Sequence, residues 1–118
     1  MAKVVMFMRN ELFSGEKERN EQFRKKVNEL VKMMLEDGYT CKEYNVNTPS
    51  GYDMAFAENK DCQLVFTTEN NTEAQYQAST RNIPVMEWRC FSDNKVSLVH
   101  VDKNMSDGIT SYSVARTR

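Results

Sequence analysis

Apolar and polar positions fall into blocks along this chain, and the period of each block indicates a strand or a helix. Residues 3–8 form a continuous apolar run after a lysine, which is typical of a strand buried on both faces of a parallel sheet. In the next block, apolar residues recur at helical spacing and make one stripe: Phe23, Val27, Leu30, Val31, Met34 and Leu35. We predict a long helix there, with Ser14 capping its start and Gly38 ending it in the left-handed conformation.

The rest of the chain continues this alternation. The further strands that we predict are residues 39–46, 62–68, 83–90 and 95–102. The first of them alternates and is expected near a sheet edge, and the third carries Pro84 near its start, where a missing backbone donor is tolerated. Two short helices are predicted between these strands. Ser50 and Asp53 have the spacing of a capping box at the start of one helix, and Asn70 is the candidate cap of the other.

The order of these elements predicts the fold class. Strands separated by helices favour parallel pairing, so the first four strands should be parallel. The link at residues 91–94 is too short for a crossover helix, so the fifth strand should be antiparallel to the fourth. Residues 110–116 are a candidate further strand. We therefore predict a single three-layer α/β domain over residues 1–118, with a mostly parallel sheet whose last one or two strands are antiparallel.

The bulk composition is ordinary for a soluble domain. The 118 residues suffice for one domain with a modest core, and 40% of them are hydrophobic and 28% charged. A net charge of −1 supplies no basic field for general binding of nucleic-acid polymers, and no apolar run is long enough to cross a membrane. The short apolar start lacks a small-residue cleavage site, so we expect a first strand and not a signal peptide.

Cysteine and histidine usage argues against metal and redox sites. The chain has three cysteines, Cys41, Cys62 and Cys90, with no CxxC pair. Such a set favours reduced, buried thiols in a cytoplasmic protein. The single histidine, His100, is predicted within a strand and has no cysteine or histidine at zinc-site spacing.

Polar residues cluster in the loops that follow the first three strands. In an open parallel sheet, ligands bind beyond the carboxyl ends of the strands, near the switch in strand order. The candidate ligand-binding residues there are Arg9, Asn10, Ser14, Asn47, Ser50, Gly51, Thr67, Thr68 and Asn70, with Glu69 beside them. The set could hydrogen-bond a sugar or a base. The Ser14–Gly15 and Ser50–Gly51 turns could also hold a phosphate with free backbone N–H groups, although a serine cap followed by a glycine explains them as well.

Two acidic residues are candidates for chemistry. Glu73 stands at the start of the third helix, and Asp53 is predicted near the start of the second, at the same edge of the sheet. Two carboxylates on one edge can divide the work of glycosidic cleavage between a nucleophile and a proton donor. A purely structural role is also open for Glu73, because an acid in the first turn of a helix gains roughly 0.3–1 kcal/mol from the helix dipole.

At these residues the chain resembles the nucleoside 2-deoxyribosyltransferase family, which includes deoxynucleoside 5′-monophosphate N-glycosidases. The resemblance covers residues 3–85 and is carried by "DMAFAENKDCQLVF", with Asp53 and Asp61, and by "NTEAQYQASTRNIPV", with Glu73. It implies a flavodoxin-like domain in which Glu73 attacks C1′ of a nucleoside or nucleotide and Asp53 contacts the base and assists its protonation. It further implies homodimers or larger homo-oligomers and no metal or redox cofactor.

Two other functions remain open. The family's glycines around the glutamate are replaced by Thr72 and Gln75, and glycines there let the backbone approach a ligand closely. Their loss favours a domain that captures a nucleotide without turning it over. Alternatively, the chain is a protein-interaction module with no small ligand, acting through a surface such as the Met-rich segment 30–38.

Overall fold

The structure is a computed structural model, and it describes residues 3–9, 12–90 and 95–100. Strands and helices follow one another in the predicted order. The strands are β1 (Lys3–Phe7), β2 (Thr40–Tyr44), β3 (Leu64–Thr68), β4 (Val85–Cys90) and β5 (Val96–His100). The helices are α1 (Lys17–Glu36), α2 (Pro49–Glu58) and α3 (Thr72–Ser79). None of the helices in the described ranges has the length and apolar character needed to cross a membrane.

The five strands form one sheet in the order β2-β1-β3-β4-β5. The first four are parallel, and β5 pairs antiparallel with β4, with Trp88 opposite Leu98. The predicted α/β class, the parallel strands and the edge position of β2 are confirmed. The link at residues 91–94 and the candidate strand at 110–116 lie outside the described residues.

Helices cover both faces of this sheet. On one face α1 packs against the strands through four residues of the predicted stripe, Phe23, Val27, Leu30 and Met34. The stripe is narrower than predicted, since Val31 is only partly buried and Leu35 is 51% exposed. Val31 and Leu35 directly follow the buried Leu30 and Met34, so each is turned 100° about the helix axis from a buried residue and lies at the margin of the stripe. On the other face, α2 and α3 enclose a second cluster that includes Phe7, Phe56 and Val65.

Helix α1 ends as predicted but does not begin as predicted. Gly38 has a φ of +97°, the left-handed conformation that glycine adopts without strain. At the start, the cap position is Glu16 and not Ser14, and no side chain caps the helix. Asn20 instead fastens the preceding loop, since its Oδ1 accepts hydrogen bonds from the backbone N–H groups of Leu12 and Phe13, each at 2.8 Å.

The caps of α2 and α3 also differ from the prediction. Thr48, not Ser50, caps α2 by accepting a hydrogen bond from the Gly51 N–H. Pro49 explains the shift, because its fixed φ suits the first helical position and leaves the cap to the residue before it. Asn71, not Asn70, caps α3, since its Oδ1 accepts from the backbone N–H of the residue three further on.

The three cysteines carry free thiols. Cys62 is buried as predicted, whereas Cys41 and Cys90 are only half-buried. Burial raises the pKa of the Cys41 thiol to about 11, and it also raises the pKa of the Cys62 thiol.

Candidate functional site

The strand order reverses direction between β1 and β3. From β1 the chain crosses to β2 on one side, and it then returns past β1 to β3 on the other. Beyond the carboxyl ends of these strands lies a cavity of about 380 Å³, here called the switch-point cavity. It is lined by Phe7, Met8, Arg9, Asn45, Val46, Asn47, Tyr52, Asn71 and Glu73. Both its position and its volume are those of small-ligand sites in α/β proteins.

The lining combines an apolar floor with polar groups from three separate segments. Phe7 ends β1 and Met8 follows it, and the ring of Tyr52 lies 4.7 Å from that of Phe7, measured between centroids. Arg9 follows β1, and Glu73 belongs to the first turn of α3. The polar groups of the lining are therefore one cation, one carboxylate and several amides, and the aromatic rings of Phe7 and Tyr52 line the same cavity.

The structure brings three of the predicted site residues into this cavity: Arg9, Asn47 and Glu73. Glu73 lies two residues after the cap of α3, so its carboxylate does not reach back to the cap as in a capping box. It accepts a hydrogen bond at Oε2 from Nε2 of Gln77 at 2.7 Å. Within the described part of the chain, its other oxygen, Oε1, has no hydrogen-bond partner, so it can accept one from a ligand.

Asp53 does not line the cavity. Its carboxylate is 66% exposed and accepts a hydrogen bond from Nη2 of Arg81 at 2.8 Å. Arg81 follows the C-terminal end of α3, whereas Glu73 lies at the N-terminal end of that helix. The guanidinium of Arg81 also donates to Gln77, which contacts Glu73, so the two carboxylates are linked through these side chains, but only Glu73 lines the cavity.

The two threonines that end β3 lie beneath the surface. Thr67 and Thr68 are fully buried, and neither lines the cavity. Across the β3–β4 register they stand beside Glu87 and Trp88. Neither threonine Oγ1 has a hydrogen-bond partner in the ranges that the structure describes. These side chains support the sheet edge and offer no accessible group to a ligand.

The remaining predicted residues lie outside the switch-point cavity. Asn70 is exposed with a φ of +63°, and Ser14 lies in the loop before α1. Ser50 and Gly51 belong to the first turn of α2, where Thr48 already occupies the Gly51 N–H. Asn10 lies outside the described residues.

Sequence reasoning missed three polar residues of the cavity and one residue that supports it. Asn45, Tyr52 and Asn71 line the cavity. Glu87 is buried in β4, where its Oε1 accepts from the Asn70 N–H at 3.3 Å and from Nε2 of Gln75 at 2.6 Å. A glutamate inside an apolar strand was the signal that could have found it, because a buried carboxylate needs partners.

A smaller cavity of about 220 Å³ lies beside the first, toward α1. It is lined by Met8, Arg9, Leu12, Asn20, Phe23, Arg24, Glu43 and Asn45. Three of these residues, Met8, Arg9 and Asn45, also line the switch-point cavity. The guanidinium of Arg24 already pairs with the carboxylate of Glu43. Arg9 therefore stands between the two cavities and faces both.

No family model, curated protein or solved structure matches this chain. Within residues 3–9, 12–90 and 95–100, no group of three or more His, Cys, Asp or Glu side chains is placed to hold a metal ion.

Proposed function

We propose that this protein binds a nucleoside or nucleotide in the switch-point cavity. The observation that carries the proposal is the convergence of Arg9, Asn71 and Glu73 on one cavity at the β1–β3 switch. The chain's resemblance to the deoxyribosyltransferase family supports this choice of ligand. A nucleoside needs both an apolar surface for its base and hydrogen-bonding groups for its polar edges, and this cavity has both.

The charges of the cavity support an orientation for the ligand. Arg9 is the cation of the lining, and a guanidinium binds phosphate oxygens well. Glu73 repels a phosphate and is better suited to the sugar and base. We therefore place the phosphate of a nucleotide toward Arg9 and the nucleoside toward α3.

Cleavage of the N-glycosidic bond is a second candidate, favoured by the open Oε1 of Glu73 in the cavity. In that reaction a carboxylate oxygen of Glu73 attacks C1′ and the C1′–N bond breaks. The bonding electron pair leaves with the base, which takes a proton from water, and the hydroxide that remains hydrolyses the glycosyl ester, releasing the sugar and returning Glu73 as a carboxylate. Binding is better supported, because Asp53, the implied proton donor, is paired with Arg81 outside the cavity.

The test compares Glu73→Gln with Glu69→Gln. Both changes remove one carboxylate near the start of α3, but only Glu73 lines the cavity. Calorimetric titration of common ribo- and deoxyribonucleosides and their 5′-monophosphates should give an affinity about tenfold lower for Glu73→Gln, because a hydrogen bond to a charged group is lost. Glu69→Gln should bind like wild type. Release of free base by wild type and not by Glu73→Gln would establish cleavage.

Two results would count against the proposal. If no nucleoside or nucleotide binds wild type, the function lies elsewhere, and the protein-interaction hypothesis gains weight. If Glu73→Gln loses about 0.3–1 kcal/mol of stability but binds like wild type, Glu73 is only a helix-start acid.

A further inference from the structure

Asn71 lines the switch-point cavity, yet its side chain is only 7% exposed. Its Oδ1 accepts two hydrogen bonds, from the backbone N–H of Ala74 at 3.2 Å and from the hydroxyl of Tyr52 at 3.3 Å. An amide oxygen has two lone pairs, so this acceptor is fully used. The amide cannot be turned round, because its NH₂ group would then face the N–H of Ala74.

The nitrogen of the same amide has no such partner. Within the described residues, Nδ2 of Asn71 makes no hydrogen bond to the protein. Among the described residues, the buried side-chain donors and acceptors that lack a partner belong to Thr67, Thr68 and Trp88, so Nδ2 of Asn71 is instead accessible at the cavity surface. Because Asn71 lines the cavity, an occupant of the cavity is the natural partner for this donor.

Glu73 presents the complementary group two residues further on. Its Oε1 is free to accept a hydrogen bond and Nδ2 of Asn71 is free to donate one, and both residues belong to the start of α3. A donor beside an acceptor matches the edge of a nucleobase, where ring nitrogens or carbonyl oxygens neighbour N–H groups. Asp53 cannot take this role from where it lies, since it does not line the cavity and its carboxylate is paired with Arg81.

We infer that Asn71 reads the nucleobase by donating a hydrogen bond from Nδ2 to a ring nitrogen or carbonyl oxygen of the base. This inference rests on the proposed nucleotide-binding function. It assigns to Asn71 the base contact that the family resemblance implies for Asp53. The cap of α3 and the hydroxyl of Tyr52 hold the amide in the orientation that this contact requires.

Asn71→Asp is the sharpest test because it changes one atom of the site. Aspartate caps helices as well as asparagine, so it keeps the acceptor for Ala74 and Tyr52, while the donor becomes a carboxylate oxygen. Calorimetric titration with the eight common ribo- and deoxyribonucleoside 5′-monophosphates should show an affinity at least about tenfold lower than wild type. The melting temperature should not fall. Ribose 5-phosphate, which lacks the base, should not distinguish the two proteins.

Two matched variants separate the lost donor from other effects. Thr72→Asp adds the same charge one residue away, on an exposed side chain that does not line the cavity, and should bind like wild type. Asn71→Ser keeps a capping hydroxyl without adding charge and should lose affinity as Asn71→Asp does.

The possible failures are distinguishable. Binding by Asn71→Asp as tight as that of wild type overturns the inference alone. So does an equal loss in Thr72→Asp, or an equal loss for ribose 5-phosphate. If wild type binds none of the eight monophosphates, the proposed function fails and this inference fails with it.

Discussion

Glu73 and Asp53 lie at the two ends of one hydrogen-bonded chain. Gln77 donates from Nε2 to Oε2 of Glu73, and its Oε1 accepts from Nη1 of Arg81 at 2.9 Å. Arg81 in turn donates from Nη2 to Oδ1 of Asp53. These hydrogen bonds fix the orientation of the Gln77 amide, since its nitrogen faces a carboxylate and its oxygen faces a guanidinium. Asp53 therefore lies at one end of this series of hydrogen bonds, outside the cavity lining, and Glu73 lies at the other end and lines the cavity.

The first prediction follows from that separation. Asp53→Asn should lower the free energy of unfolding by about 0–1 kcal/mol, the usual worth of an exposed ion pair, and should leave ligand affinity unchanged. Denaturant unfolding and calorimetric titration measure the two quantities. Asp61→Asn is the matched control, since Asp61 is also an exposed carboxylate, paired with Lys3 at 2.9 Å. If Asp53→Asn lowers ligand affinity or base release as much as Glu73→Gln does, Asp53 takes part in ligand binding or cleavage after all.

The second prediction concerns the phosphate. Arg9→Ala should weaken binding of a nucleoside 5′-monophosphate by about tenfold or more and leave the parent nucleoside unaffected, because only the phosphate needs a cation. Arg19→Ala removes the same charge from α1, away from both cavities, and should change neither affinity. Equal losses for nucleotide and nucleoside in Arg9→Ala would place the phosphate elsewhere.

The strand and helix order followed from the hydrophobic pattern because the strands are short apolar or alternating runs and α1 carries a clear stripe. The residues that cap the helices did not follow from the sequence, because two neighbouring residues can each be suited to the N-cap position. Asn70 and Asn71 are equally good caps by residue type. The backbone decides between them, since Asn70 adopts a positive φ and donates its N–H to Glu87. That contact spans 17 residues, so no local pattern reveals it.

The candidate site was predictable only in part, for a related reason. Arg9 and Asn47 lie in the loops after β1 and β2, and Glu73 lies in the first turn of the helix after β3, so the rule for parallel sheets found them. Thr67 and Thr68 obey the same rule in sequence, but they still belong to β3 and are covered by its neighbours. Asp53 was placed correctly on α2, but its direction depends on Arg81, which is 28 residues further along the chain.

A third prediction tests the reassigned cap of α2. Thr48→Ala should cost about 1 kcal/mol of stability, within the range of roughly 0.5–2 kcal/mol for lost N-caps, because the Gly51 N–H loses its acceptor. Ser50→Ala should cost far less, although Ser50 was the predicted cap. Urea unfolding of both variants gives the comparison. A larger loss in Ser50→Ala than in Thr48→Ala would restore the original assignment.

A fourth prediction follows from the thiols. Because burial raises the pKa of Cys41 to about 11, its thiolate is scarce at pH 8, and labelling by a thiol reagent should be slow in the native protein. The rate should rise about tenfold per pH unit toward pH 10, since the thiolate is the reactive form. The unfolded thiol ionises near its ordinary pKa of 9.0, so stability should also fall as pH rises from about 9 toward 11. Rapid labelling of native Cys41 at pH 8 would contradict this.

The last prediction concerns the buried carboxylate that supports α3. Besides its bonds to Asn70 and Gln75, Glu87 accepts at Oε2 from Nε of Arg89 at 3.0 Å. Three donors therefore converge on one carboxylate. Glu87→Gln keeps the shape but turns an NH₂ group toward one of these donors, which should cost about 1–3 kcal/mol of stability.

Glu87→Gln should also weaken ligand binding in the switch-point cavity. The Asn70 N–H is held by Glu87 immediately before Asn71, so loosening that bond releases the start of α3 from β4. Urea unfolding should show the stability loss, and calorimetric titration should show weaker nucleotide binding. Glu69→Gln is the control and should stay within about 0.5 kcal/mol of wild type, because the half-buried Glu69 side chain makes no hydrogen bond or ion pair among the described residues. Wild-type stability in Glu87→Gln would mean that the three donors find other partners, and that Glu87 does not hold the helix start in place.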